Sequence, residues 1–316
     1  MNATATVQRT TPVRTPRTSA PVLSLVRDTT PTVRIPRPAP ARTAPVTRIV
    51  PAGTPAERAV TAGAAMVDPI GLDELNALAE LQTRVDRKYF VPAHLFHRMI
   101  AELRDELQVL EIKGQRTFGY ESVYFDTPDL ATYRAHVQRR RLRFKARTRT
   151  YTDTGLSMFE VKLTGARGET IKERVKHQAE HSAELTPTAM AHLRTTLAKA
   201  YHQDVPAGLR PTLMTNYKRT TFVTRTGEAR LTCDIALTFL DLNGEVHDTG
   251  THVLVESKSG GQAGSAADRI LRELGVRPIS VSKYCVAVAA LHPELPSNPW
   301  HQTLKRYFTP LQQVAA

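Results

Sequence analysis

A chain of 316 residues, 41% hydrophobic and 23% charged, carries enough apolar matter for one large domain or two ordinary ones. Two cysteines without a CxxC pair exclude a disulfide framework and a cysteine zinc site, and no apolar run reaches the roughly 18 residues of a membrane-spanning helix. The net charge of +13 points to polyanions instead: nucleic acid, anionic membrane or phosphates.

That charge is unevenly spread. Residues 1–50 hold eight arginines and one acid, Asp28, among many prolines and threonines. Such a segment buries too little apolar surface to offset its conformational entropy, so residues 1–68 are expected to be a disordered leader. It lacks the apolar core of a secretory signal, and its prolines break the amphipathic helix of a transit peptide. The expected location is cytoplasmic. A single domain is expected over 69–295, with 296–316 as a C-terminal tail.

Within the domain, Leu72, Leu75, Leu78 and Leu81 recur at helical spacing. Thr83–Val91 reads as a strand. Pro92 opens a helix to Leu107, with Leu95, Met99, Leu103 and Leu107 on one face. Further helices are predicted over 186–201 and over 264–274, the latter ended by Gly275. The rest reads as strands: 117–126, 137–151, 156–164, 169–176, 212–224, 229–240, 250–258 and 279–289. The fold class is α+β, an antiparallel β-barrel tunnel of about eight strands with flanking helices.

The strand faces carry the chemistry. Arg139, Arg141, Arg143, Lys145, Arg147 and Arg149 alternate with Leu142, Phe144 and Ala146. Successive strand side chains point to opposite faces, so one face becomes a ladder of cations about 6.6–6.8 Å apart. Glu160 and Lys162 share a face, as do Lys172 and Arg174, Tyr217 and Arg219, Arg230, Thr232 and Asp234, and Glu256 and Lys258. An ordinary solvated sheet face mixes signs evenly; here cations dominate. Turned inward, such faces line a tunnel that demands a polyanion or water. Duplex nucleic acid is too wide, and aromatic platforms for single strands are few. A linear phosphate chain suits the arginine forks and lysine point charges. Asp86, Glu160, Asp234 and Glu256 could hold a divalent ion or pair with neighbouring arginines. His177 and His181, four apart in a polar segment, form no HExxH arrangement.

The pieces in order are Arg84-x-Asp86-x-Lys88-Tyr89, Ser122–Pro128 (SVYFDTP) with Tyr133, Lys145-x-Arg147-x-Arg149-x-Tyr151, Phe159–Lys162 (FEVK), and Lys172-x-Arg174. Tyr217-x-Arg219, Arg230-x-Thr232-x-Asp234, Glu256-x-Lys258 and Ser282–Tyr284 (SKY) follow. This series resembles the VTC (vacuolar transporter chaperone) domain of polyphosphate polymerases, within the CYTH-like triphosphate tunnel metalloenzyme superfamily. The resemblance implies a phosphotransferase that moves the γ-phosphate of ATP onto a growing polyphosphate chain, with Mn²⁺ or Mg²⁺ as cofactor.

It also implies roles. Lys162, Arg219 and Lys283 are the catalytic candidates. Lys88, Arg147 and Arg149 are phosphate ligands, with Tyr217 and Ser282 as polar helpers and Glu256 as the metal carboxylate. Strand alternation adds Lys145, Lys172 and Arg174 to the phosphate set and Glu160 as a secondary metal candidate. The chain departs from the superfamily's acidic ExExK opening at Arg84 and Asp86, and Ser280 stands where a basic residue is common. The partners expected are ATP and polyphosphate, with no nucleic acid and no membrane segment; any translocation would need a separate membrane protein. A tunnel hydrolase of triphosphates and a non-enzymatic polyanion binder are the alternatives.

Overall fold

The structure, a computed structural model, describes residues 53–78, 85–165, 170–261 and 263–312. All of them fall within one unit, Ile35–Ala316. Arg84 and most of the expected leader lie outside the described residues.

Eight strands follow one another in antiparallel pairs: β2 (Val85–Pro92), β11 (His252–Ser259), β9 (Ala229–Leu240), β8 (Arg210–Thr224), β4 (Phe118–Asp126), β5 (Phe144–Tyr151), β6 (Ser157–Thr164) and β7 (Thr170–His177). Three short strands extend the sheet. β3 (Leu107–Leu110) pairs with β8, β1 (Asp68–Ile70) runs parallel to β3, and β10 (Glu245–His247) pairs with β9. The end strands β2 and β7 do not pair with each other among the described residues, so the sheet is curled and tunnel-like without being closed by hydrogen bonds.

Helices cover both its outer flanks. On one side α1 (Pro55–Ala65), α3 (Ala93–Leu103) and α6 (Ala266–Glu273) bury Val60, Phe96, Met99 and Ile270 against Val91, Leu231 and Val253. On the other, α5 (Pro187–Tyr201) seats Leu193 and Leu197 on Phe144, Ala146, Phe159 and Val161. These are the out-of-phase partners of the cations on β5 and β6, as the alternation requires. The short α2 (Leu72–Leu78) packs Leu75 on Val223.

Order begins earlier than the composition suggests. Thr54 accepts from the Glu57 N–H at 3.2 Å, Glu57 accepts from the Thr54 N–H at 2.9 Å, and Pro55 takes the first helical position. This capping box starts α1 inside the expected leader. Its alanine and glycine face then lets it lie close on α3, where Gly63 faces Phe96 and Ile100. The expected tail is also folded. Trp300 is buried, α8 (His301–Tyr307) stacks Tyr307 on Phe90 with centroids 4.1 Å apart, and Gln312 exchanges backbone hydrogen bonds with Glu245 at 2.8 and 2.9 Å.

Two expected strands are corrected. Residues 283–291 form α7 (Lys283–Leu291), not a strand. The segment is buried on every side, and an apolar run with no periodicity does not distinguish a strand from a buried helix. The arginine-rich strand starts at Phe144, not at 137. Before it, α4 (Ala131–Val137) ends in a Schellman turn: the Arg139 N–H reaches the His136 carbonyl at 3.1 Å, and the Arg140 N–H reaches that of Ala135 at 2.9 Å. Arg139 takes φ 53°, a left-handed conformation that costs an L-residue about 1–2 kcal/mol.

Candidate active site in the curled sheet

The concave face is divided. Over part of it, α7 packs Tyr284 and Val288 into an apolar cluster with Phe90, Tyr124, Tyr217 and Leu254. The remainder encloses a cavity of about 970 Å³. Thirteen lysines and arginines line it, against four carboxylates: Asp86, Glu160, Asp234 and Glu256.

One wall is β5, β6 and β7. Its register sets Lys145 opposite Lys162 and Lys162 opposite Lys172, a row of three ammonium groups. The next row is Arg147, Glu160 and Arg174. Glu160 is 2% exposed, and Arg147 grips it through Nε at 2.9 Å and a terminal nitrogen at 2.7 Å. Lys172 pairs with the same carboxylate, and Arg149 Nε stands 3.9 Å away. Burial alone would raise the Glu160 pKa; these three cations hold it well below the usual carboxylate range. Glu160 is therefore an internal counter-ion and leaves the set of metal candidates.

The opposite wall is β2, β11, β9 and β8 with the start of α7. Lys88 lies opposite Glu256, and Glu256 opposite Thr232. Arg219 binds Asp234 bidentately at 2.6 and 2.8 Å, and Lys283 joins the same carboxylate. Burial would raise the Asp234 pKa, but Arg219 and Lys283 bring it down to about 2. Lys88 donates to the Val281 carbonyl at 3.1 Å, beside Ser282. Glu256 has Lys258 at 3.1 Å. Burial opposes its ionisation, while Lys258, Lys88 and Lys162 favour it and prevail.

The walls face each other. Lys162 on β6 feels Glu256 on β11 and Lys88 on β2, though these strands are not neighbours in the sheet. Burial, then the repulsion of Lys88, Arg147 and Lys145, takes the Lys162 pKa down to about 7 despite the pull of Glu256. Lys145 and Lys258 are lowered too, burial leading in both. The cavity is crowded with like charge.

Twelve of the expected site residues line the cavity: Lys88, Lys145, Arg147, Arg149, Glu160, Lys162, Lys172, Arg174, Arg219, Glu256, Ser282 and Lys283. Tyr217 does not. It lies buried beneath them, stacked on Tyr120 at 5.1 Å with Lys283 Nζ 4.4 Å over its ring. Burial pushes its phenol up, and Arg149, Arg219 and Lys283 more than offset this, so its pKa falls. The Tyr217 hydroxyl, Arg149 Nε and Thr232 Oγ1 are buried without a hydrogen-bond partner. Unsatisfied groups among so many cations are suited to an anionic ligand.

Arg230, Lys258 and Arg143 also line the cavity, though they were not among the expected site residues. Their signal was present: Arg230 and Lys258 alternate with Asp234 and Glu256 in the same strands. Asp126 and Tyr284, both in the matching pieces, serve elsewhere. The buried Asp126 carboxylate accepts from the Thr127, Thr132 and Tyr133 N–H groups at 2.7, 2.9 and 3.0 Å and from the Tyr284 hydroxyl. It thereby ties α4 to the first turn of α7, which carries Lys283.

Among the described residues, no three His, Cys, Asp or Glu side chains converge as a metal cage. With Glu160 and Asp234 clasped by cations, the donor set fits an ion held by Glu256 together with phosphate oxygens, the usual arrangement for Mg²⁺.

The family model described as the VTC domain matches residues 83–292. No curated protein matches the chain. Among solved structures, an adenylate cyclase-like protein from Bacillus halodurans is 16% identical with a TM-score of 0.42, covering 63% of this chain and 94% of that one. An adenylyl cyclase-like protein from Hippeastrum, described as having a dominant triphosphatase activity, is 14% identical with a TM-score of 0.44 and covers 66% and 96%. A protein from Pyrococcus horikoshii is 14% identical with a TM-score of 0.38 and covers 65% and 98%.

Proposed function

Because the chain belongs to the VTC domain family, whose members are polyphosphate-related tunnel enzymes, we propose that it transfers the γ-phosphoryl group of ATP to the end of a polyphosphate chain. The observation that carries this reading is the charge imbalance of the cavity, thirteen cations against four carboxylates, two of which are already clasped. A bound polyanion relieves it.

In the transfer, the bridge between the β- and γ-phosphates breaks and ADP leaves with the electron pair. A terminal oxygen of the acceptor chain forms the new bond to phosphorus. Such chemistry needs alignment and charge neutralisation more than covalent help from the protein. Arg147 and Arg149 hold one wall of the chain, and Lys88, Arg219 and Lys283 hold the other. Asp234 keeps Arg219 and Lys283 extended into the cavity. Lys162, on the first wall and facing Glu256 of the second, is placed to neutralise the phosphoryl group in flight. A divalent ion, Mn²⁺ or Mg²⁺, would be held by Glu256 and would draw charge from the bridging oxygen.

The test is to incubate the full chain with ATP and Mn²⁺ and to separate the products on a gel. Long-chain polyphosphate with equimolar ADP supports the transferase. Free phosphate alone marks a tunnel hydrolase, and no turnover leaves a polyanion-binding protein.

A further inference from the structure

We propose that the turn closing α4, Arg139 to Arg141 with Arg143, is a second anion subsite at the mouth of the cavity that grips the part of a linear polyphosphate leaving it, so that the protein favours long chains over triphosphate. The inference rests on the phosphate-chain reading above.

Arg139 and Arg143 line the cavity, and Arg139 is also exposed, which puts this turn where the cavity meets solvent. Lys145 and Lys162 continue the cations inward from it. The turn's conformation is set by the Schellman hydrogen bonds, not by its side chains. Glycine is the residue usually found at the left-handed position, yet arginine occupies it. Strain retained at a cavity rim is a reason to look for a ligand.

Three other exposed arginines do pair with acids: Arg98 with Glu102, Arg225 with Asp68 and Arg269 with Glu273. None of the four arginines of the turn forms an ion pair with a described residue; Arg140 donates only to Gln138, and Arg143 to the Arg140 carbonyl. Beneath them, burial and the charges of Lys145 and Arg143 hold the half-buried His136 neutral, its pKa pushed down to about 3. The turn has no aromatic residue, so it offers no platform for stacked bases. A flexible chain of phosphates leaving the cavity meets it directly.

The experiment titrates the full chain and the variant R140Q/R141Q, whose two side chains are exposed and outside the cavity lining, with tripolyphosphate, long-chain polyphosphate and single-stranded RNA at one salt concentration. Because both side chains are exposed, the variant's melting temperature is expected to stay level. The expected result is a loss of about tenfold or more in affinity for long-chain polyphosphate, with tripolyphosphate held within about twofold. Unchanged long-chain affinity overturns the proposal, as does an equal loss for both phosphates. RNA bound as tightly as long-chain polyphosphate, and lost in parallel, overturns it in favour of a general polyanion patch. Wild-type protein that binds neither phosphate removes the tunnel reading and this one together, whereas tripolyphosphate binding without a long-chain advantage removes this one alone.

Discussion

The two walls of the cavity carry one glutamate each, and the two glutamates have opposite fates. Glu160 stands on β6 between Arg147 and Arg174 with Lys172 pairing across, and its charge is spent inside the protein. Glu256 stands on β11 between Lys88 and Thr232, and its one close partner is Lys258 of its own strand. The side chain of Glu160 is 2% exposed and that of Glu256 14%. Residue type and alternation are the same in both strands; the cross-strand neighbours decide which carboxylate is structural and which is available.

Glu160→Gln is the severest way to break that contrast. It leaves the buried Arg149 and the largely buried Arg147 without their counter-ion and Lys172 without its partner, an imbalance that costs about 3–5 kcal/mol. Urea melts should show this loss, and saturating tripolyphosphate should restore much of it by supplying the missing charge. A variant as stable as the wild type would mean that Glu160 balances nothing.

Glu256→Gln is expected to cost less stability and more chemistry. Turnover with Mn²⁺ should fall by about 100-fold or more, equivalent to about 2.7 kcal/mol of lost transition-state stabilisation. Tripolyphosphate affinity should hold or improve, since a negative charge has left the wall. Normal turnover at saturating metal would take Glu256 out of the site.

Arg149→Ala sharpens the comparison from the other side. Its Nε has no hydrogen-bond partner, and Glu160 keeps Arg147 and Lys172 without it. The fold should therefore survive, while a lost charge-assisted contact of about 1.5–3 kcal/mol weakens tripolyphosphate binding by roughly 10- to 150-fold. Calorimetry and a thermal melt on one purified variant decide it.

The cavity-facing cations of β5 were legible because period two is strict from Phe144 to Tyr151. The same arithmetic misled just upstream. Arg139, Arg141 and Arg143 keep the alternation although the backbone there is a helix end and a turn, and only the capping hydrogen bonds distinguish the two. The strand expected at 279–289 failed for a related reason: α7 is apolar all round and leaves no period to read. In α1 the box at Thr54 and Glu57 was visible in the sequence, but the proline-rich surroundings outweighed it. The difference between Glu160 and Glu256 was not legible at all, because it depends on which residues sit across the strand.

The smallest expected effect concerns protons on Lys162, which faces the second wall from β6. Its pKa is held down to about 7, against about 10.4 for a free lysine. Between those values the unfolded chain binds more protons than the folded one, so this group makes stability rise with pH from about 7 upward. That gain is lost as pH falls back toward 7, where the folded protein must hold Lys162 charged beside Lys88, Arg147 and Lys145. A bound phosphate chain reverses the preference, because its charge favours the ammonium form. Binding above pH 7 must then take up a proton, and affinity for tripolyphosphate should fall by up to about tenfold per pH unit. Calorimetry in buffers of different ionisation heat measures the uptake directly. Lys162→Arg keeps a cation that does not titrate in this range and should flatten the slope, leaving the smaller shares of the other lowered lysines. A wild-type affinity that stays level from pH 7 to 9, or a slope unchanged by the substitution, would show that Lys162 does not sit against the chain.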